Sequence, residues 1–143
     1  MKKILCLILL LVLSGCSKEP TKYDQQFQLY FYYIEGCSLC DAFKEEGIPL
    51  IEDEFGSAIT ITSYDLDDSD TKTHYDQILS QLDVEQFDTD YYGIAPFIVF
   101  DEYFAKLGVF PGEYELFVED MIAAINDEEL SEDLSMDRVP FIK

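Results

Sequence analysis

The 143-residue chain carries 30 acidic and nine basic side chains, a net charge of −21 at pH 7. That balance argues against nucleic acid as a partner, because phosphate neutralisation needs clustered Lys and Arg, and a bare anionic lipid surface would repel it. Disorder is excluded as well, since 48% of the residues are apolar and they fall into patterned runs.

Residues 1–16, "MKKILCLILLLVLSGC", have the layout of an export signal. Lys2 and Lys3 form the positive end, and the apolar run Ile4 to Leu13 is too short to cross a bilayer core of roughly 30 Å comfortably. Ser14 and Gly15 then precede Cys16. Leu13-Ser14-Gly15-Cys16 resembles the lipobox of bacterial lipoproteins. That resemblance implies removal of residues 1–15, diacylglycerol on Cys16, and a protein held on the outer side of the cell membrane. Two acyl chains suffice for stable anchoring, at about 0.8 kcal/mol per buried methylene. The alternative is a cytosolic protein with an apolar N-terminal helix. Processing would leave residues 16–143, one domain's worth of chain. Without Lys2 and Lys3, seven basic residues would face 30 acidic ones, a net of −23.

Residues 17–26, "SKEPTKYDQQ", read as a polar tether with a reach of roughly 35 Å at full stretch. "FQLYFYYI", 27–34, is a strand buried on both faces, and "EGCSLCD" follows at 35–41. From Ser38 the apolar spacing predicts a helix, broken or kinked near Gly47-Ile48-Pro49 and closed by Gly56. "AITITSYDL", 58–66, is a β-branched second strand. After an acidic loop, Tyr75, Ile78, Leu79 and Leu82 mark a short helix. "GIAPFIVF", 93–100, and "YFAKLGVF", 103–110, are strands joined by a turn at Asp101-Glu102. Tyr114, Phe117, Val118, Met121, Ile122 and Ile125 stripe a final helix. Two β-α-β connections imply parallel pairing, and the tight turn an antiparallel edge. For the acidic segment 126–143 a helix extension, a docked strand and a loose tail all remain open.

Of four cysteines, Cys6 would leave with the signal and Cys16 would carry lipid, so Cys37 and Cys40 remain. Export would put them where disulfides persist. Three readings compete for the pair: a redox dithiol, half of a metal site, or a structural staple. A zinc site needs four ligands, and His74 is the single histidine, so no metal is expected. His74 itself is expected to face solvent. "DLDDSDTKTHYD", 65–76, has Asp65 and Asp67 at the first and third positions of a calcium loop. It lacks the required glycine at Asp70 and ends in Asp76 instead of glutamate, so it reads as a solvated acidic loop. A staple between residues three apart closes too small a loop to constrain much chain entropy. Tyr30, Phe31, Tyr32 and Tyr33 are expected in core and sheet surface, and Tyr91 and Tyr92 in packing or a groove wall.

A strand running into C-x-x-C at a helix start, then helix, strand, helix, Ile94-Ala95-Pro96 opening another strand, a hairpin with Gly108 and a last helix together resemble the thioredoxin-like superfamily over about residues 27–126. The resemblance implies an α/β fold in three layers, helices flanking a sheet of about four mixed strands, with 127–143 as an acidic tail. It implies Cys37 as exposed nucleophile, Cys40 as buried resolving thiol, and Pro96 as a cis-proline that lets the Ala95 backbone meet an extended substrate. Thioredoxins proper have a tryptophan before the first cysteine, Gly-Pro between the two, and a buried aspartate in the preceding strand; here those positions hold Gly36, Ser38-Leu39 and Phe31. Cys40 would then pass its proton to water or another carboxylate.

The chemistry suits the pattern, since exchange needs an attacking thiolate with a second thiol close behind it. A helix N-terminus favours the thiolate, whereas Glu35, Asp41, Glu45 and Glu46 oppose it. The expected protein is a lipid-anchored extracytoplasmic thiol-disulfide oxidoreductase that acts on protein disulfides or dithiols without a cofactor. The alternative is a non-catalytic accessory lipoprotein of the same fold.

Overall fold

The computed structural model describes residues 22–84, 93–136 and 138–143; the export segment, Cys16, Tyr91 and Tyr92 lie outside them. β1 (Phe27–Tyr33) leads into α1 (Ser38–Ala42), which continues through a π-helical segment (Phe43–Gly47) into α2 (Ile48–Phe55). β2 (Ile59–Asp65), α3 (Ser69–Leu79), β3 (Phe97–Phe100), β4 (Phe104–Leu107), α4 (Tyr114–Ile125) and β5 (Arg138–Pro140) follow.

The sheet order is β2-β1-β3-β4-β5. It is a mixed α/β sheet compatible with the thioredoxin-like fold, with five strands where about four were expected. The period-2 alternation of β1 divides its aromatics between two cores. Phe27, Leu29 and Phe31 pack with Phe43, Ile51 and Phe55 and with Phe117 and Met121 of α4. Tyr32 packs on the opposite face with Tyr75 and Ile78 of α3 and with Phe97 and Val99. Each such side chain, taken fully out of water, contributes about 1.5–3 kcal/mol.

The kink expected near Pro49 is a π segment. Pro49 has no N–H to give the carbonyl four residues back, and the wider π turn absorbs the break. Gly47 is required there. A Cβ at this position would lie 2.5 Å from a ring carbon of Phe43, and that ring is hemmed by Phe31 at 5.1 Å and Tyr114 at 5.9 Å.

Parallel pairing at both crossovers does not hold. β1 and β2 are parallel from Phe27 opposite Ile59 to Tyr33 opposite Asp65, but β3 runs antiparallel to β1, with Phe97 beside Tyr32. β3 begins at the end of the sheet where β1 stops and runs back along it. The hairpin β3–β4 turns at Asp101-Glu102, as the sequence implies, with Glu102 at φ 67°.

Of the three states open for 126–143, the docked strand is the one observed: β5 pairs antiparallel with β4. Arg138 is ion-paired with Asp120 of α4 and donates to the Ser131 carbonyl, while the Ser131 N–H donates to Asp120 at 2.8 Å. Lys106, fully buried in β4, donates to the Met136 carbonyl at 2.6 Å. At the other end, residues 22–26, expected within the tether, pack on the domain. Tyr23 stacks on Phe55 at 4.9 Å, Lys22 pairs with Glu54, and Gln25 donates to Tyr103 at 3.1 Å. Among the described residues no helix is long and apolar enough to cross a membrane.

Candidate active site

β1 ends at Tyr33, and the chain reverses through Glu35-Gly36. Gly36 adopts φ +75°, a left-handed turn that side chains with a Cβ resist. The reversal aims Cys37 at the start of α1. Cys37 is extended, with its N–H on the Ile34 carbonyl at 3.4 Å, and it caps the helix with sulfur: the Cys40 N–H donates to Cys37 Sγ at 3.1 Å. An N-cap normally offers oxygen to these free amides. Here the acceptor is the reactive atom, and the same amide stabilises it as a thiolate.

Cys37 and Cys40 are joined as a disulfide, with Cα atoms 5.2 Å apart. Their exposures differ: Cys40 is fully buried in the core beneath α1, whereas Cys37 is partly open to solvent. Across the end of the sheet, the Ala95 carbonyl oxygen lies 3.9 Å from Cys37 Sγ. The Ala95-Pro96 peptide is cis, and the Pro96 carbonyl accepts from the Gly108 N–H at 2.8 Å. Thus Cys37, Cys40, Ala95 and Pro96, spread over 60 residues of sequence, meet at one end of the sheet.

Glu35 and Asp41 are exposed beside the pair. A cation missed in reading the sequence packs against the end of β1. Lys44 lies over the Tyr33 ring at 3.6 Å and near Phe31 at 5.9 Å. It stands four residues after Cys40 and seven after Cys37, the spacing of one helix face, which was the available signal. Phe31, where thioredoxins proper hold an acid, is fully buried and packs on Phe43. Ile94, one residue before Ala95, is 42% exposed, an apolar side chain left open at the rim.

His74 is only partly open to solvent, where full exposure was expected. Its ring stacks on Tyr64 at 4.4 Å and meets Tyr30 edge-on at 4.8 Å, and Nδ1 lies 2.7 Å from the Tyr32 hydroxyl. The polar neighbours of His74 in sequence hid an aromatic cluster built from three strand tyrosines. Burial lowers the His74 pKa, against a smaller opposing effect of the Asp101 charge, and burial first and neighbouring tyrosines second push Tyr32 strongly up. A histidine held neutral in the fold stabilises it fully above the unfolded pKa near 6.5, and this contribution is lost as pH falls through the lower folded value. Stability is therefore expected to fall as the pH drops below about 6.5. His74→Phe, which keeps the stack, should flatten the slope in denaturant titrations; an unchanged slope would assign it to other groups.

Residues 69–76 of the acidic segment are helical in α3, which is not a calcium-loop conformation. Among the described residues, no three His, Cys, Asp or Glu side chains are grouped to hold a metal ion. No family model, curated protein or solved structure matches the chain.

Proposed function

We propose that this chain is a membrane-anchored thiol-disulfide oxidoreductase acting on protein disulfides or dithiols outside the cytoplasm. The observation that carries the reading is the asymmetry of the pair: a partly open Cys37 sulfur receiving a helix-start amide, with a buried Cys40 directly behind it. In the reducing direction the Cys37 thiolate attacks one sulfur of a substrate disulfide. The Cys37–substrate bond forms, the substrate S–S bond breaks, and the departing thiolate takes up a proton. Cys40 then loses its proton and attacks Cys37 Sγ, which releases the second substrate thiol. Two electrons pass to the substrate and the Cys37–Cys40 disulfide remains. Oxidation of a substrate dithiol runs the same steps backwards.

The Ala95 carbonyl, 3.9 Å from Cys37, gives an extended substrate strand a backbone acceptor beside the reacting sulfur. Export and anchoring rest on Lys2, Lys3, the apolar run and Leu13-Ser14-Gly15-Cys16. The net charge of −21 disfavours anionic small thiols as partners. A second reading, a non-catalytic binding module, draws on Phe31, which leaves Cys40 without the usual buried acid.

The test is transfer. Reduced chain is mixed with a disulfide-bonded protein, quenched with an alkylating reagent and read by mass. One disulfide moved per chain is expected; no transfer in either direction would leave the binding module as the function.

A further inference from the structure

On the face of the domain carrying α2 and α4, the two helices leave a groove of about 340 Å³, at the small end of ligand cavities. Leu50 of α2 and Val118 and Ile122 of α4 contribute its apolar lining, and Asp53, Glu54, Glu115 and Glu119 supply its charge. Among the described residues no Lys, Arg or His lines it. Among the described residues Lys22 is the one cation ion-paired with a lining carboxylate, at Glu54.

The pattern is set by helix spacing. Val118 and Ile122 are four apart, as are Glu115 and Glu119, so an apolar row and an acidic row run side by side along α4. From the other wall α2 adds one apolar side chain, Leu50, and two acidic ones, Asp53 and Glu54. Like charges at this spacing repel, and no ion pair among the described residues offsets Glu115 or Glu119. An occupant must therefore bring both apolar side chains and positive charge.

We propose that this groove docks a cationic amphipathic helix of a partner protein, its apolar side chains on Leu50, Val118 and Ile122 and its Lys or Arg side chains on Asp53, Glu115 and Glu119. Laying an amphipathic helix into an apolar groove between helices is a common recognition mode. A second copy of this chain would bring acidic rim against acidic rim, and a phosphate-bearing ligand would be repelled. The groove is separate from the dithiol: Leu50 and Glu54 lie ten and fourteen residues beyond Cys40, roughly 15–20 Å along the helix. Docking therefore leaves Cys37 open.

The probe is a fluorescent 18-residue helical peptide of Leu and Lys, compared with a Ser/Lys peptide of equal charge and a Leu/Glu peptide. Anisotropy is measured with the oxidised domain at about 0.15 M salt, where surface charges more than about 8 Å apart are screened. The Leu/Lys peptide alone should bind. Amide shifts should concentrate at residues 50–54 and 115–122, and Glu115→Lys/Glu119→Lys should weaken binding at least tenfold. Asp53→Asn/Glu119→Gln, a milder change, should weaken it less while leaving exchange with a small neutral disulfide unchanged. Equal binding of the Ser/Lys peptide, shifts mapping elsewhere, undiminished binding by the charge-reversed variant, no binding, or self-association through the groove would each overturn the proposal.

Discussion

Cys37→Ser is expected to lower disulfide exchange by on the order of 10³-fold or more, the scale on which loss of a covalent nucleophile registers. Cys40→Ser is expected instead to retain the first step and stop at the second, so that a Cys37–substrate mixed disulfide accumulates and is visible as a band removed by reductant. The two variants differ because the sulfurs sit differently: Cys37 is partly open and accepts the Cys40 amide, whereas Cys40 is buried beneath it. If Cys40→Ser captured no substrate while Cys37→Ser did, the roles would be exchanged. If neither variant altered exchange, the dithiol would not be the active group.

The second large effect concerns the C-terminal strand. Asp120 is 2% exposed and receives the Ser131 N–H and the Arg138 guanidinium. Arg138→Ala strips the charge partner from a buried carboxylate, a change that costs about 3–5 kcal/mol. For a domain of this size the melting temperature should fall by on the order of 10–20 °C. Replacing both partners by apolar residues, Asp120→Leu with Arg138→Met, is expected to recover most of the loss, because neither charge then needs burial. Thermal melts and denaturant midpoints read both effects. A change below about 0.5 kcal/mol for Arg138→Ala, the range of ordinary surface substitutions, would mean that the pair does not hold β5 in place.

These two sites also mark where sequence patterning is informative and where it stops. The strand before Cys37, the helix after it, the Ile/Thr strand and the stripe from Tyr114 to Ile125 are local periodicities, and each forms an element of the type expected. Ala95 and Pro96 stand at the start of a strand legible from its apolar run, and the fold brings them to Cys37. What the sequence hides is carried by pairs distant along the chain. Arg138 looks like an isolated cation in an acidic segment until the fold sets it against Asp120. His74 lies among polar residues on α3, and its aromatic partners come from β1 and β2. Lys106 is a cation within an apolar strand, buried where β5 covers the edge of β4. The direction of β3 depends on where the connection after α3 ends, which periodicity does not encode.

A C-x-x-C disulfide that shuttles electrons and one that only closes a loop are separated most directly by reduction potential. The chain is equilibrated in dithiothreitol and glutathione buffers of graded poise, quenched by alkylation, and the fraction reduced read by mass. The partly open Cys37 and the amide that stabilises its thiolate predict a two-electron couple between about −120 and −270 mV, the range of catalytic dithiols. A pair that stayed oxidised below about −300 mV, where structural disulfides lie, would contradict the account.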